Sequence, residues 1–192
     1  MGPIVADMSM SLDGFIADES DSVDQVFTWY SKPQPDAGPT ADDASASEEI
    51  KTAVGLRHQL GVIVYGRRTF EIAHGWGGSH PMGVPVVVVS HGVPDGWPRP
   101  DNMVRFASSI DDAVDQARAI AGDKTIAIGS PAITQQLLNR GLLDGVRVSL
   151  VPVFLGHGIR FFENLTAAPT ELEGPIVVEG NGVTHLSYRV PR

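Results

Sequence analysis

The sequence predicts an α/β fold: a mostly parallel central sheet with an antiparallel C-terminal edge and helices on both faces. Three features carry this expectation. Short β-branched runs alternate with stretches of helical spacing through most of the chain. The run Pro85-Val86-Val87-Val88-Val89-Ser90 shows no polar alternation, as expected of a strand covered on both faces. The tail then offers two strands in succession, about 171–178 and 183–190, joined by Glu179-Gly180-Asn181-Gly182, whose residues tolerate positive φ.

In chain order, Ile4 to Met10 alternates loosely and predicts a first strand. It meets the turn-rich Ser11-Leu12-Asp13-Gly14, followed by Phe15-Ile16-Ala17, and is expected to lead into a loop there. Residues 31–47 hold three prolines among small polar residues and cannot bury enough surface to fold alone, so a mobile loop is expected there, either a lid or a passive insertion. Ser45 with Glu48 matches a capping box, and a helix from about 46 to 60 follows. Gly61-Val62-Ile63-Val64-Tyr65 is a short strand, which Gly66-Arg67-Arg68-Thr69-Phe70-Glu71 turns into a short helix. The strand at 85–90 ends in His91-Gly92-Val93-Pro94-Asp95-Gly96.

Met103 to Ala107 is a further strand, and Ser109 with Asp112 caps a helix to about Ala121. Thr125-Ile126-Ala127-Ile128-Gly129 then runs as a buried strand into a helix at 131–140 through Gly129-Ser130-Pro131. Gly129 permits a tight turn, Ser130 is placed to cap the helix with its hydroxyl, and Pro131 fits the first helical position. Gly141 ends that helix. Val146 to Phe154 is a long strand containing Pro152, which argues for an edge position or a bulge there.

Composition narrows the function. At 192 residues, 42% hydrophobic and 19% charged, the chain suits one domain covering 1–192 with a real core. A net charge of −9 argues against nucleic acid as the main partner and leaves small molecules open. Without cysteine there are no disulfides, thiolate catalysis or Cys-ligated metals, and a reducing cytoplasm is compatible. The start has no basic, apolar leader, and no apolar segment approaches the ~20 residues that cross a bilayer, so a soluble protein without membrane contact is expected. The six histidines show no i, i+4 pairing, and no metal site is expected.

Three strand ends carry small or cationic groups: Gly66-Arg67-Arg68-Thr69, Ser90-His91 and Gly129-Ser130-Pro131. In an open α/β sheet ligands lie outside the carboxyl ends of the strands, so helix N-termini and two arginines could converge on one polyphosphate. Each has a plainer reading, as a solvated basic pair or a well-made strand-to-helix turn. Neither the dinucleotide glycine fingerprint nor a P-loop occurs.

The segments Met8-Ser9-Met10-Ser11-Leu12-Asp13-Gly14-Phe15-Ile16-Ala17, Tyr65-Gly66-Arg67-Arg68-Thr69-Phe70-Glu71, Ile128-Gly129-Ser130 and Leu143-Asp144-Gly145-Val146-Arg147-Val148 follow one another in an order that resembles the dihydrofolate reductase-like superfamily. Val151 to Phe162 is similar to the Pro-x-x-Leu-Gly-x-Gly-x-x-x-Phe pattern of the bacterial branch related to the C-terminal reductase domain of the bifunctional riboflavin-biosynthesis deaminase/reductase. The resemblance implies that superfamily's three-layer fold, an NADPH-dependent reductase, and a homodimer. It places Leu12 and Ile16 beside the nicotinamide, and Gly66, Arg67, Arg68 and Thr69 at the pyrophosphate and nearby ribose. Ser90 and His91 fall at the adenosine 2′-phosphate region, and Ile128, Gly129, Ser130, Pro131, Ala132 and Ile133 at the pyrophosphate from the opposite side. The chain departs from the family in carrying Ser130 at the second position of a Gly-Gly pair.

Hydride transfer also needs a proton, from a carboxyl group or ordered water. Asp13 and Glu49 are the candidate acids. Asp13 also suits an ordinary Asp-Gly turn, and Glu48, the neighbour of Glu49, suits the capping box better than catalysis. Trp29, Tyr30 and Trp76 suit either a wall for a heteroaromatic substrate or the core. The leading expectation is an NADPH-dependent reductase of a small pterin-like, pyrimidine-like or carbonyl substrate, closest to 5-amino-6-(5-phosphoribosylamino)uracil reductase. Dihydrofolate reductase, and a nucleotide- or pterin-binding protein without turnover, are the alternatives.

Overall fold

The computed structural model describes residues 1–32, 60–97 and 102–191. The loop expected at 31–47 lies outside them but for its first two residues, as do all but the last residue of the helix expected at about 46–60 and both Glu48 and Glu49. Strands β1 (Ile4–Ser11), β3 (Leu60–Gly66), β4 (Val86–Val89), β5 (Val104–Ala107), β6 (Thr125–Ile128), β7 (Gly145–Val151), β9 (Glu173–Gly180) and β10 (Val183–Arg189) form one sheet in the order β5-β4-β3-β6-β1-β7-β10-β9. From β5 to β7 every pairing is parallel, and β10 and β9 close the sheet antiparallel. This is the expected sheet with the expected C-terminal edge.

Helices cover both faces because the strands alternate. Val62 and Val64 of β3, Val87 of β4 and Ile126 and Ile128 of β6 point to one face, where α3 (Ile110–Ala121) and α4 (Pro131–Asn139) pack. Val86 and Val88 of β4 point to the other, against Phe70 of the short α2 (Arg67–Ile72). The stripe Ala113, Val114, Ala117 and Ala121 of α3 is small enough to bring that helix close to the sheet. Ser109 caps it as expected, its hydroxyl accepting from the Asp112 N–H at 3.1 Å. A further short helix, α1 (Asp24–Phe27), lies against β1 and against β2 (Phe15–Ala17).

Three local expectations are corrected. The strand expected at 146–154 spans Gly145–Val151 and sits centrally between β1 and β10; Pro152 falls just past its end, where the missing N–H breaks no ladder. Ser130 occupies the N-cap of α4 with extended backbone, but its hydroxyl bonds no helix N–H. Phe15–Ala17 is a strand rather than loop, paired with the two-residue β8 (Ile159–Arg160), and Arg160 stacks its guanidinium 4.5 Å above the Phe15 ring.

Gly129 is glycine for a steric reason. A Cβ there would lie 2.2 Å from Cε1 of Tyr65, whose ring rests across the end of β6. At Gly66 the nearest atom to an added Cβ is the rotatable Ser130 Oγ, at 3.1 Å. Gly129→Ala is therefore expected to cost about 1–3 kcal/mol as overpacking, and Gly66→Ala clearly less, measured as shifts of the urea midpoint at constant m-value.

Candidate functional site

The parallel strands all end on one edge of the sheet, and β6 stops short. Its last residue, Ile128, pairs with Ala6 of β1 and Val64 of β3, whereas β1 runs on from Asp7 to Ser11 with only β7 beside it. A step opens there between the free side of β1, the Gly129-Ser130 turn and the start of α4. Two neighbouring strand ends meet at the step: Gly129 donates its N–H to the Val64 carbonyl at 2.9 Å, and Ser130 faces Gly66. Pro131 stands at the first helical position, so the N–H groups of Ala132 and Ile133 have no carbonyl one turn back within the helix. Ile133 itself turns its side chain into the core.

The cationic groups stand beside this step. Arg67 follows Gly66 directly, and Gly66 pairs with Val89, so Arg67 and Ser90 emerge side by side. The Arg67 guanidinium reaches across to the Ser90 hydroxyl (3.4 Å) and the Gly92 carbonyl (3.2 Å), while its Nε donates to Glu71 at 2.7 Å. Ser90 is buried and donates to the Gly92 carbonyl at 2.6 Å. Arg68 is exposed and donates twice to one oxygen of Asp21, at 2.7 and 3.0 Å. Thr69 is half-buried and His91 exposed. The first two sequence-marked strand ends and the Gly129 turn thus come together on one edge.

Leu12 and Asp13 lie on the loop that leaves β1, Leu12 exposed and Ile16, just beyond, buried in the core. The Asp13 carboxylate is fully engaged. It accepts from the Ser11 hydroxyl at 2.6 Å and from the N–H groups of Leu155 and Gly156 at 3.1 and 2.7 Å, and the Ser11 oxygen in turn accepts from Phe15 N–H at 2.9 Å. These donors, the Ser11 hydroxyl foremost, lower its pKa to about 2, so near neutral pH it holds no proton to give. Asp13 ties the loop after β1 to the 155–156 segment. Glu49, the other candidate acid, lies outside the described residues.

On the α2 face the aromatic side chains form two groups. Trp29 is buried, donates its indole N–H to Ser9 at 3.0 Å, and packs against Tyr30 and edge-on to His185. Tyr65 packs against Trp76, ring centroids 4.9 Å apart, with its hydroxyl 3.2 Å from Nε2 of His80. Trp29 is thus a core residue with a satisfied N–H, while Tyr30 is largely exposed. Between these groups Asp7 pairs with the buried Arg147 at 3.3 Å. Sequence reasoning passed over Asp7, Arg147, Tyr65 and His80, although a charge inside each of the apolar strands 4–11 and 145–151 was a visible signal. A groove of about 390 Å³ opens beside Leu12 at the β9–β10 hairpin, between Leu150, Pro152 and Thr184. Among the described residues no group of three or more His, Asp or Glu could hold a metal, and no helix is long and apolar enough to cross a membrane.

The family model described as the RibD C-terminal domain matches residues 3–173. No curated protein matches the chain. Among solved structures, a protein from Shewanella sp. PV-4 assigned to riboflavin biosynthesis is 24% identical with a TM-score of 0.67, each chain covered in full. The riboflavin biosynthesis reductase of Saccharomyces cerevisiae is 12% identical with a TM-score of 0.60, covering 99% of this chain and 90% of that one. Dihydrofolate reductase from Enterococcus faecalis, complexed with NADP(H), is 13% identical with a TM-score of 0.58, covering 99% and 97%. At these identities the solved structures show the fold: it is dihydrofolate reductase-like, as the resemblance implied.

The Asp13 clamp predicts an acid dependence. Its folded pKa of about 2 lies below the ordinary 3.8, so its contribution is complete above about pH 4 and disappears as pH falls through 2. Asp13→Asn is expected to be less stable than the native protein by a constant margin between about pH 7 and 5, with the margin shrinking below about pH 4. Urea unfolding at pH 7, 5 and 3 measures it, and a margin unchanged at pH 3 would contradict the clamp.

Proposed function

We propose, for a chain that belongs to the RibD C-terminal domain family, an NADPH-dependent reductase of a small heterocycle, with 5-amino-6-(5-phosphoribosylamino)uracil first among its substrates. The observation that carries the reading is the step at the end of β6, where a helix-start turn and a guanidinium share one edge of an open sheet. A protein from Thermotoga maritima named for a deaminase and for 5-amino-6-(5-phosphoribosylamino)uracil reductase shares the fold, with a TM-score of 0.58 at 13% identity. This chain spans 57% of it and has no cysteine for a cysteine-ligated deaminase zinc.

The donor set suits a dinucleotide phosphate. Arg67 and Arg68 provide planar forks and Thr69 a hydroxyl on one side of the step, and the turn from Ile128 through Ile133 provides the N–H groups of Ala132 and Ile133 on the other. Ser90, within the span of Arg67, and His91 next to it in the chain would meet a third phosphate. Binding there exchanges surface ion pairs such as Arg67–Glu71, which are worth little in water, for charged hydrogen bonds to phosphate. When bound, NADPH supplies the hydride.

The remaining work belongs to the protein. Leu12, held by the Asp13 clamp, and Ile16 border the reacting face and exclude water from it. Asp13 positions that loop and does not deliver the proton, a task left to Glu49 or to ordered water. The same observation favours a second reading, a nucleotide- or pterin-binding protein without turnover. The two separate by following reduced-nicotinamide absorbance with the uracil substrate and with dihydropterins: steady loss supports the reductase, and stoichiometric binding without loss supports the binder.

Two measurements test the cofactor site. NADPH at about 100 times Kd is expected to stabilise the protein by about 2.7 kcal/mol, raising Tm by roughly 5–10 °C. Arg67→Ala with Arg68→Ala is expected to weaken NADPH at least tenfold, since a charged hydrogen bond is worth about 1.5–3 kcal/mol. Unchanged affinity by calorimetry would remove both arginines from the site.

A further inference from the structure

Tyr65 belongs to the same segment as the cationic turn, yet neither the phosphate site nor the loop clamp uses it. Its ring lies across Gly129, at the step itself. It sits on the α2 face of the sheet with Asp7, and Asp7 and Tyr30 are close enough to act on it electrostatically. One element leans over it. His74 through Gly78 take positive φ at five successive residues, 48, 61, 50, 63 and 103°, a left-handed turn that includes the non-glycine residues His74 and Trp76. That turn delivers Trp76 onto the Tyr65 ring and leads directly to His80. Left-handed backbone is unfavourable for L residues, and runs of it persist only where the surroundings hold them. Here Trp97 and Phe70 close on Gly75 so tightly that a Cβ there would lie 2.4 Å from the Trp97 ring.

The hydrogen bonds of His80 fix its tautomer. The Met82 N–H donates to Nδ1 at 3.2 Å, so Nδ1 carries no proton and Nε2 carries it. Nε2 is 3.2 Å from the Tyr65 oxygen and is therefore the donor in that bond. The phenol oxygen accepts from His80, and its own proton has no acceptor among the described residues. Burial lowers the His80 pKa and so favours the neutral imidazole, and burial together with Tyr30 and Asp7 pushes the Tyr65 pKa up and so favours the protonated phenol.

We infer that Tyr65, oriented by His80, is a specificity residue that donates its hydroxyl proton to a hydrogen-bond acceptor of the substrate, a carbonyl oxygen or an unprotonated ring nitrogen. A pyrimidine or pterin ring presents such acceptors along one edge, and Trp76 braces the phenol from behind. The inference rests on the reductase reading for the identity of its ligand and on the His80–Tyr65 geometry for the direction of the bond.

The test uses the full-length protein and its Tyr65→Phe variant, which keeps the ring on Gly129. Both are titrated with NADPH, and, saturated with NADP⁺ so that no turnover occurs, with 5-amino-6-(5-phosphoribosylamino)uracil and with a dihydropterin. Tyr65→Phe is expected to bind NADPH within twofold of the native protein and its heterocycle about tenfold more weakly. Nitrogen NMR of His80 is expected to show a bare Nδ1 and a protonated Nε2. Equal heterocycle affinity in the two proteins, a parallel loss of NADPH affinity, or a protonated Nδ1 would overturn the inference. Binding of the dihydropterin but not of the uracil, weakened in Tyr65→Phe, would support Tyr65 and refute the uracil substrate. Weakened binding without any turnover by the native protein would support Tyr65 and refute the reductase. Binding of neither heterocycle would overturn both.

Discussion

The early end of β6 is the constraint on which the rest of this molecule depends. Four residues, Thr125–Ile128, bridge β3 and β1, and the chain then leaves the sheet through Gly129, Ser130 and Pro131. A fifth strand residue with a side chain would collide with Tyr65, and a proline two positions later cannot continue a ladder. Packing and backbone chemistry therefore agree on where the strand stops. Because β1 continues for five more residues with a partner on one side only, the stop becomes an opening in an otherwise continuous sheet. The opening lies at the carboxyl edge, where helix starts and strand-end turns also gather.

The two faces of the sheet then divide the labour. On the α3 and α4 side the strands present valine, isoleucine and alanine, and the core there is apolar throughout Ile4, Ala6, Val64, Ile126 and Ile128. Burial of that surface stabilises the fold without constraining chemistry. On the α2 side the same strands present Asp7, Ser9, Ser11, Tyr65, Arg147 and Ser149, and each polar group there must find a partner. Ser9 receives Trp29, Ser149 meets His185, Ser11 serves Asp13, and Asp7 meets Arg147. A strand that alternates in this way can carry a site on one face while the other keeps the sheet intact.

Much of this was legible in the sequence, for identifiable reasons. The valine run at 86–89, the Ser109 cap and the hairpin tail follow local rules that tertiary structure left alone. The Gly129-Ser130-Pro131 turn was legible as a helix start, but the Ser130 hydroxyl turns toward Gly66 of a neighbouring strand, and propensity carries no information on that choice. Pro152 was weighed as an interior residue of a strand when it lies one residue beyond the end; boundaries depend on the partner strand's length. The two-residue β8 exists only because Phe15–Ala17 comes to it from far away in the chain, and so it left no periodicity to find.

The candidate site was half legible for the same reason. Arg67, Ser90 and Gly129 sit at strand ends, and topology alone assembles strand ends of a parallel sheet on one edge. Asp13 was marked as an acid because it lies in a motif, and its chemistry is decided by Leu155 and Gly156, whose N–H groups arrive from the opposite end of the chain. Three donors hold a candidate proton source as an anion down to about pH 2. Tyr65 and His80 make the converse case: each is unremarkable where it stands in the chain, and only the Met82 N–H on one imidazole nitrogen directs the other at the phenol. What a titratable residue can do is set by which of its lone pairs and protons its neighbours already occupy, and those neighbours come from other elements of the fold.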